Sequence, residues 1–182
     1  MDPSRRRLWP LPGIGRVFPE EGTPGSFWED RGDRFHAGVD LYAPTGSPVV
    51  AIEDGRVISA GIFTSPDLVP YWNRTYQVTL AHASGIFCRY AELGDIPVEQ
   101  GASVRGGWVI GHVGEVLNLS LIGPGAPPYI RALKDQGHDS MLHLETYGLA
   151  PGTSPEYRGG NWFSRIRPAH LLDPAPFLRD TS

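Results

Sequence analysis

The sequence predicts an antiparallel all-β fold, and two observations carry that expectation. Short apolar runs with strand-like alternation recur along the chain, each bounded by turn residues. Glycine (23) and proline (18) are abundant among the 182 residues, which favours turn-rich β structure over a helical bundle. The length suits one domain with a real core. With 40% hydrophobic and 20% charged residues the composition is that of a soluble globular protein rather than a disordered one.

The elements follow in order. Residues 1–33 are a Pro/Gly-rich lead-in. "GVDLYAP" reads as a short strand that ends at Pro44. "GSPVVAIEDGRVISAGIF" (46–63) reads as two β-branched runs with Asp54-Gly55 as a hairpin turn. "YQVTLAHASGIFCRYAEL" (76–93) repeats that form around "HASG", and "WVIGHV" supplies another strand. Residues from about 115 to 139 look like an insertion, with one or two helical turns near Tyr129–Lys134 ended by Gly137. "MLHLETY" is a last core strand, and 149–182 is a tail whose "LLDPAPFL" docks on the body.

Charge and cysteine usage exclude several functions. A net charge of −4 offers no basic patch for nucleic acid or anionic membrane, so neither is an expected partner. Cys88 is the only cysteine, which excludes an internal disulfide and a cysteine-based zinc site. Its setting in "GIFCRY" is that of a small buried thiol. "MDPSRRRLWPLPGIG" carries arginines without a signal-peptide core, and no apolar stretch approaches membrane-spanning length. The expected location is therefore cytoplasmic.

Chemistry concentrates in two stretches. In "RFHAGVD", His36 and Asp40 stand four residues apart. A straight strand would separate them by about 13 Å at roughly 3.3 Å per residue, too far for one metal. The chain must bend between them, and Gly38 supplies the freedom. The plainer reading of the pair is a polar turn capped by Asp40. In "MLHLE", Leu142 and Leu144 share one face while Met141, His143 and Glu145 share the other. Two histidines and a carboxylate, with a fourth position for water, form a common catalytic zinc set. The plainer reading of His143 is a hydrogen-bonded core histidine.

The blocks "HAGVD", "PVVAIEDGRVISAG", "RYAEL", "VEQGASVRGGWVIGHVG" and "LHLE" occur in an order that resembles the lysostaphin-like (LytM-type) zinc metallopeptidases, over residues 34–148. That resemblance implies an antiparallel β groove of the duplicated-hybrid-motif type. It implies zinc held by His36, Asp40 and His143, and cleavage of peptide bonds in peptidoglycan cross-links. The sequence also departs from the family. Met141 stands where the family has the first histidine of His-x-His, and Glu92 in "YAEL" stands where it has the histidine of "YAHL". Both usual catalytic histidines are then missing. Either Glu92 is the general base of an active peptidase, or the groove binds a peptide or partner protein without cutting it. A variant of the second reading makes Glu92 a fourth ligand.

The remaining polar candidates are weaker. His138 precedes the ligand strand and is a candidate catalytic residue that swings into the groove. Glu145 is a candidate orienter of His143, or the partner of Arg89 or Arg131 in a salt bridge. His82 reads as a surface turn residue, His112 as a strand-surface residue and His170 as packing in the tail.

Overall fold

The computed structural model describes residues 7–179 and 181. The start of the lead-in, residues 1–6, and positions 180 and 182 of the tail lie outside them. The fold is predominantly antiparallel β, with few short helices. Its strands are β1 (Phe35–His36), β2 (Val39–Tyr42), β3 (Pro48–Val50), β4 (Gly55–Ile62), β5 (Tyr76–His82), β6 (Phe87–Asp95), β7 (Ser103–Val104) and β8 (Val109–Glu115). After an insertion come β9 (Ser140–Tyr147), β10 (Tyr157–Arg158), β11 (Asn161–Trp162) and β12 (Leu171–Leu172). The main sheet runs β12-β9-β8-β6-β5-β4-β7, with β2 added on β9 and β3 on β8. A three-stranded sheet, β1-β11-β10, lies beside it.

Strand β9 is the hub, pairing with β2, β6, β8 and β12. Leu142 and Leu144 go into the main core with Val39, Leu41 and Tyr90. Burying an aliphatic side chain of this size contributes about 1.5–3 kcal/mol. Those contacts set the register of β9 and so send His143 and Glu145 to the opposite face. Cys88 is fully buried in the same core, as its apolar setting predicts.

The insertion holds a 3₁₀ turn (Leu119–Leu121) and helix α1 (Pro128–Gln136). Pro128 begins α1 and Gly137 ends it in the left-handed conformation, φ 67°, as the sequence predicts. Ile130 and Leu133 of α1 pack with Trp72, Leu117 and Met141 in a second apolar cluster. A closing helix α2 (Pro174–Arg179) buries Phe177 and Leu178. No helix among the described residues is long and apolar enough to cross a membrane.

Two expectations fail. Asp54-Gly55 is not a hairpin turn, because β3 pairs with β8 while β4 pairs with β5 and β7. Gly55 serves close approach instead: a Cβ there would lie 2.7 Å from the Ala81 carbonyl oxygen. His82 is not a surface turn residue. It ends β5 buried, with Nε2 2.9 Å from the Tyr90 hydroxyl. The "HASG" hairpin itself forms between β5 and β6 as expected.

Candidate metal centre

His36 ends β1, Asp40 lies in β2 and His143 in β9, and all three are buried. The change of sheet between β1 and β2 supplies the required bend. Gly38 sits at that crossing, where a Cβ would collide with the Leu144 carbonyl. The residue is needed for close approach rather than for an unusual φ. Asp40 then stands opposite His143 in the β2–β9 ladder.

Three atoms converge. His143 Nδ1 is 2.9 Å from Asp40 Oδ1 and 3.0 Å from His36 Nε2, and His36 Nε2 is 3.2 Å from Asp40 Oδ1. The remaining ring nitrogens are spoken for. His36 Nδ1 donates to the Ser26 carbonyl at 2.8 Å, and His143 Nε2 donates to Glu145 Oε1 at 3.0 Å. Each imidazole therefore turns a lone pair toward the other and toward a carboxylate oxygen. A metal ion among the three atoms, or a proton on His143 Nδ1, satisfies that arrangement. A tetrahedral zinc with bonds of about 2.0–2.1 Å needs ligand atoms about 3.4 Å apart, close to this triangle. Among the described residues these three form the one His/Cys/Asp/Glu group with metal-binding spacing.

In the metal-free protein a proton takes that place on His143, and coordination requires its loss. Burial opposes charge on His143, but hydrogen bonds to Asp40 and Glu145 outweigh it and push its pKa up to about 9. Burial also opposes charge on Asp40, yet His36 and His143 hold its carboxyl well below the usual range. His36 is pushed down by burial and then by the Arg31 charge, which keeps it neutral and able to coordinate. Glu145, wholly buried, is held at about 2 because the Arg89 guanidinium and His143 overcome the effect of burial.

Glu92 lines the same pocket, a space of about 40 Å³ that also takes in Arg31, Trp72, Met141 and Asn161. Tyr129, Ile130 and Leu133 of the insertion form part of its wall. Glu92 lies in β6 with φ 61°, a left-handed backbone that costs a non-glycine residue about 1–3 kcal/mol. Around it β6 changes partner: Ala91 faces His143 of β9, and Leu93 faces Val113 of β8. Thr75 Oγ1 donates to Glu92 Oε2 at 2.7 Å, while Oε1 has no hydrogen-bond partner among the described residues. Burial pushes the Glu92 carboxyl up to about 7 despite the hydrogen bond from Thr75. Glu92 lies beside the three-residue group and is not one of its members.

His138 does not join the cluster. Its ring stacks on Tyr42 with centroids 4.0 Å apart, and it lines a separate cavity bounded by Trp9 and Phe18. Glu145 accepts from His143 Nε2 at 3.0 Å, and of its two expected ion-pair partners it meets Arg89, at 2.7 Å. His112 is bonded to Asp95 at the surface, and His170 stacks on Tyr147.

Four supporting residues escaped the sequence reading: Ser26, Arg31, Tyr157 and Asn161. Ser26 acts through its backbone carbonyl and leaves no side-chain signal. Arg31 donates to Glu29 and Asn161 and lies 3.6 Å from Asp40 Oδ2. Its place in a charged run five residues before His36 was the available clue. Tyr157 donates to Glu145 Oε1 at 2.5 Å.

The model of Peptidase family M23 matches residues 34–124, half of the chain. The chain belongs to that family. The matched segment contains His36, Asp40 and Glu92 and ends before His143. The expected divergence, loss of both usual catalytic histidines, does not extend to the centre itself, where His36 and His143 meet around Asp40.

The DD-carboxypeptidase/endopeptidase Mpg of Neisseria meningitidis is 41% identical over 81 residues, 44% of this chain and 17% of that protein. The chain thus spans about a sixth of the length of the curated relatives it matches. A putative glycyl-glycine endopeptidase LytM from Ruminococcus gnavus shares the fold, with TM-score 0.55 and 21% identity over 97% of this chain and 60% of that one. A zinc containing peptidase from Vibrio cholerae is similar at TM-score 0.50 and 25% identity, over 79% of this chain and 37% of that one.

Proposed function

We propose that the chain is a zinc metalloendopeptidase acting on the peptides of peptidoglycan, with His36, Asp40 and His143 as the zinc ligands and Glu92 as general base. The observation that carries this reading is the convergence of three lone-pair atoms, at 2.9–3.2 Å, in a pocket that Glu92 shares. Membership of a peptidase family and the likeness to a zinc containing peptidase support zinc as the cation. When bound, zinc polarises the scissile carbonyl and acidifies water.

The chain's own residues do the rest. Glu92, which lines the pocket and whose Oε1 is unbonded among the described residues, accepts the proton of the attacking water and returns it to the leaving amine. Thr75 holds Oε2 and fixes the carboxylate's direction. Glu145 keeps the His143 proton on Nε2, so that Nδ1 stays a ligand. The test is zinc content together with release of peptide fragments from bacterial cell walls. Stoichiometric zinc with no release from walls or from a broad peptide library would overturn the activity.

One observation favours a second reading, a zinc-holding groove that binds peptidoglycan or a partner protein without cleaving it. Met141 lines the pocket with a thioether that cannot shuttle a proton, at the family's histidine position. In that case Glu92→His combined with Met141→His creates activity in an inert protein. Peptidoglycan lies outside the cytoplasm, so action on it requires an export route that the sequence does not announce or release by lysis.

A further inference from the structure

The tail does more than dock. Strands β10 and β11 form a hairpin, Tyr157–Trp162, that reaches the support of every candidate ligand. His36 pairs with Asn161 across β1 and β11, and Ala37 N donates to the Gly160 carbonyl at 2.8 Å. Asn161 Oδ1 accepts from Arg31 Nη1 at 2.9 Å, and Arg31 Nη2 lies 3.6 Å from Asp40 Oδ2. The outer oxygen of Asp40 is thereby engaged while Oδ1 faces the imidazoles. Tyr157 donates to Glu145 Oε1 at 2.5 Å, the same oxygen that accepts from His143 Nε2. Gly160, with φ 75°, lies so close to the His143 ring that a Cβ would come within 2.8 Å of Cε1 and Nε2.

We infer that this hairpin is a clamp on the metal centre, in which Tyr157 and Asn161 are positioning residues acting through Glu145 on His143 and through Arg31 on Asp40. The inference rests on the metal-centre reading above. The chemistry is that of outer partners, which fix ring orientation and tautomer and commonly govern metal affinity by 10–100-fold. Arg89 and Tyr147 occupy the other oxygen of Glu145, so Tyr157 is the partner that shares Oε1 with His143. Loss of its hydroxyl frees Oε1 to rotate, and with it the ring. Asn161 is almost wholly buried, at 2% exposure, and its amide oxygen is the side-chain acceptor for Arg31 Nη1.

The test compares Tyr157→Phe and Asn161→Ser with the wild-type chain. Zinc affinity is read by chelator competition, and the visible spectrum of the cobalt-substituted protein reports ligand geometry. Each variant is expected to weaken zinc about 10–100-fold and to alter the cobalt bands, with the far-ultraviolet circular dichroism of the wild type. Arg158→Ala, in the same hairpin, removes a side chain that lies over the Phe163 ring, leaves the Arg158 carbonyl that accepts from Asn161 Nδ2, and keeps wild-type affinity. Should Tyr157→Phe fail to fold, Asn161→Ser decides alone. Wild-type affinity and an unchanged cobalt spectrum in either folded variant overturn the clamp, provided that His143→Ala has lost the ion. Full zinc in His143→Ala overturns the metal centre itself, and the clamp with it.

Discussion

His143 and His82 are both buried strand histidines near a carboxylate, yet only one is built into a site. Two carboxylates meet His143, one on each ring nitrogen, and its pKa is pushed up to about 9 against the effect of burial. His82 meets the neutral Tyr90 hydroxyl, which also accepts from the Ile52 amide, and burial lowers its pKa. Burial alone leaves a histidine neutral and structural. What makes a metal ligand is a second nitrogen fixed from behind while the first faces other donors.

That contrast can be broken experimentally. The largest effect is expected at the cluster: Asp40→Ala takes peptidoglycan hydrolysis to background, because the carboxylate that balances the cation is gone. Next, Glu92→Gln keeps zinc and lowers kcat about a hundredfold, the scale of a positioned base. Loss of zinc in that variant would instead make Glu92 a ligand.

A pH effect follows from the same residue. Only ionised Glu92 accepts a proton, so hydrolysis falls on the acid side. A bound cation lowers the carboxyl pKa, so the midpoint of that limb lies at or below about 7. In the metal-free protein the sign for stability is opposite. The folded pKa of about 7 exceeds the ordinary 4.5, so the folded state holds the extra proton between those values. Stability from this group is present below the lower value and lost as pH rises through the folded one, by at most about 1.4 kcal/mol per pH unit. Urea denaturation at pH 5 and pH 7, compared between wild type and Glu92→Gln, isolates the term. An equal pH dependence in both proteins would remove it.

The smallest functional effect is expected at His82. His82→Phe removes one of the two hydrogen bonds of the Tyr90 hydroxyl, leaving that from the Ile52 amide, and costs about 1–3 kcal/mol in thermal or urea unfolding. It leaves zinc content unchanged. A loss of zinc would mean that the two histidines are not independent.

Much of this architecture was legible in the sequence because its signals are local. Alternation in "MLHLE" sets which face His143 occupies, and the helix in the insertion is announced by Pro128 and Gly137. The site's three donors were legible as residue types, and the family resemblance supplied their grouping. The β3–β8 pairing was not legible, since Asp-Gly signals a turn unless a neighbouring backbone is known to need the glycine's space. The lead-in and the tail were undervalued for a similar reason. Ser26 offers only a carbonyl, Tyr157 and Asn161 lie far along the chain from the residues they support, and no local pattern marks such contacts. His138 shows the converse: it is near in sequence, but its ring is committed to Tyr42.

The central claim is that one ion is held by His36, Asp40 and His143. Its most direct test is the zinc content of purified wild type and of His143→Ala after equilibration with zinc and removal of loosely bound metal. The account predicts one zinc per chain in the wild type and almost none in the variant. Stoichiometric zinc in His143→Ala would contradict it.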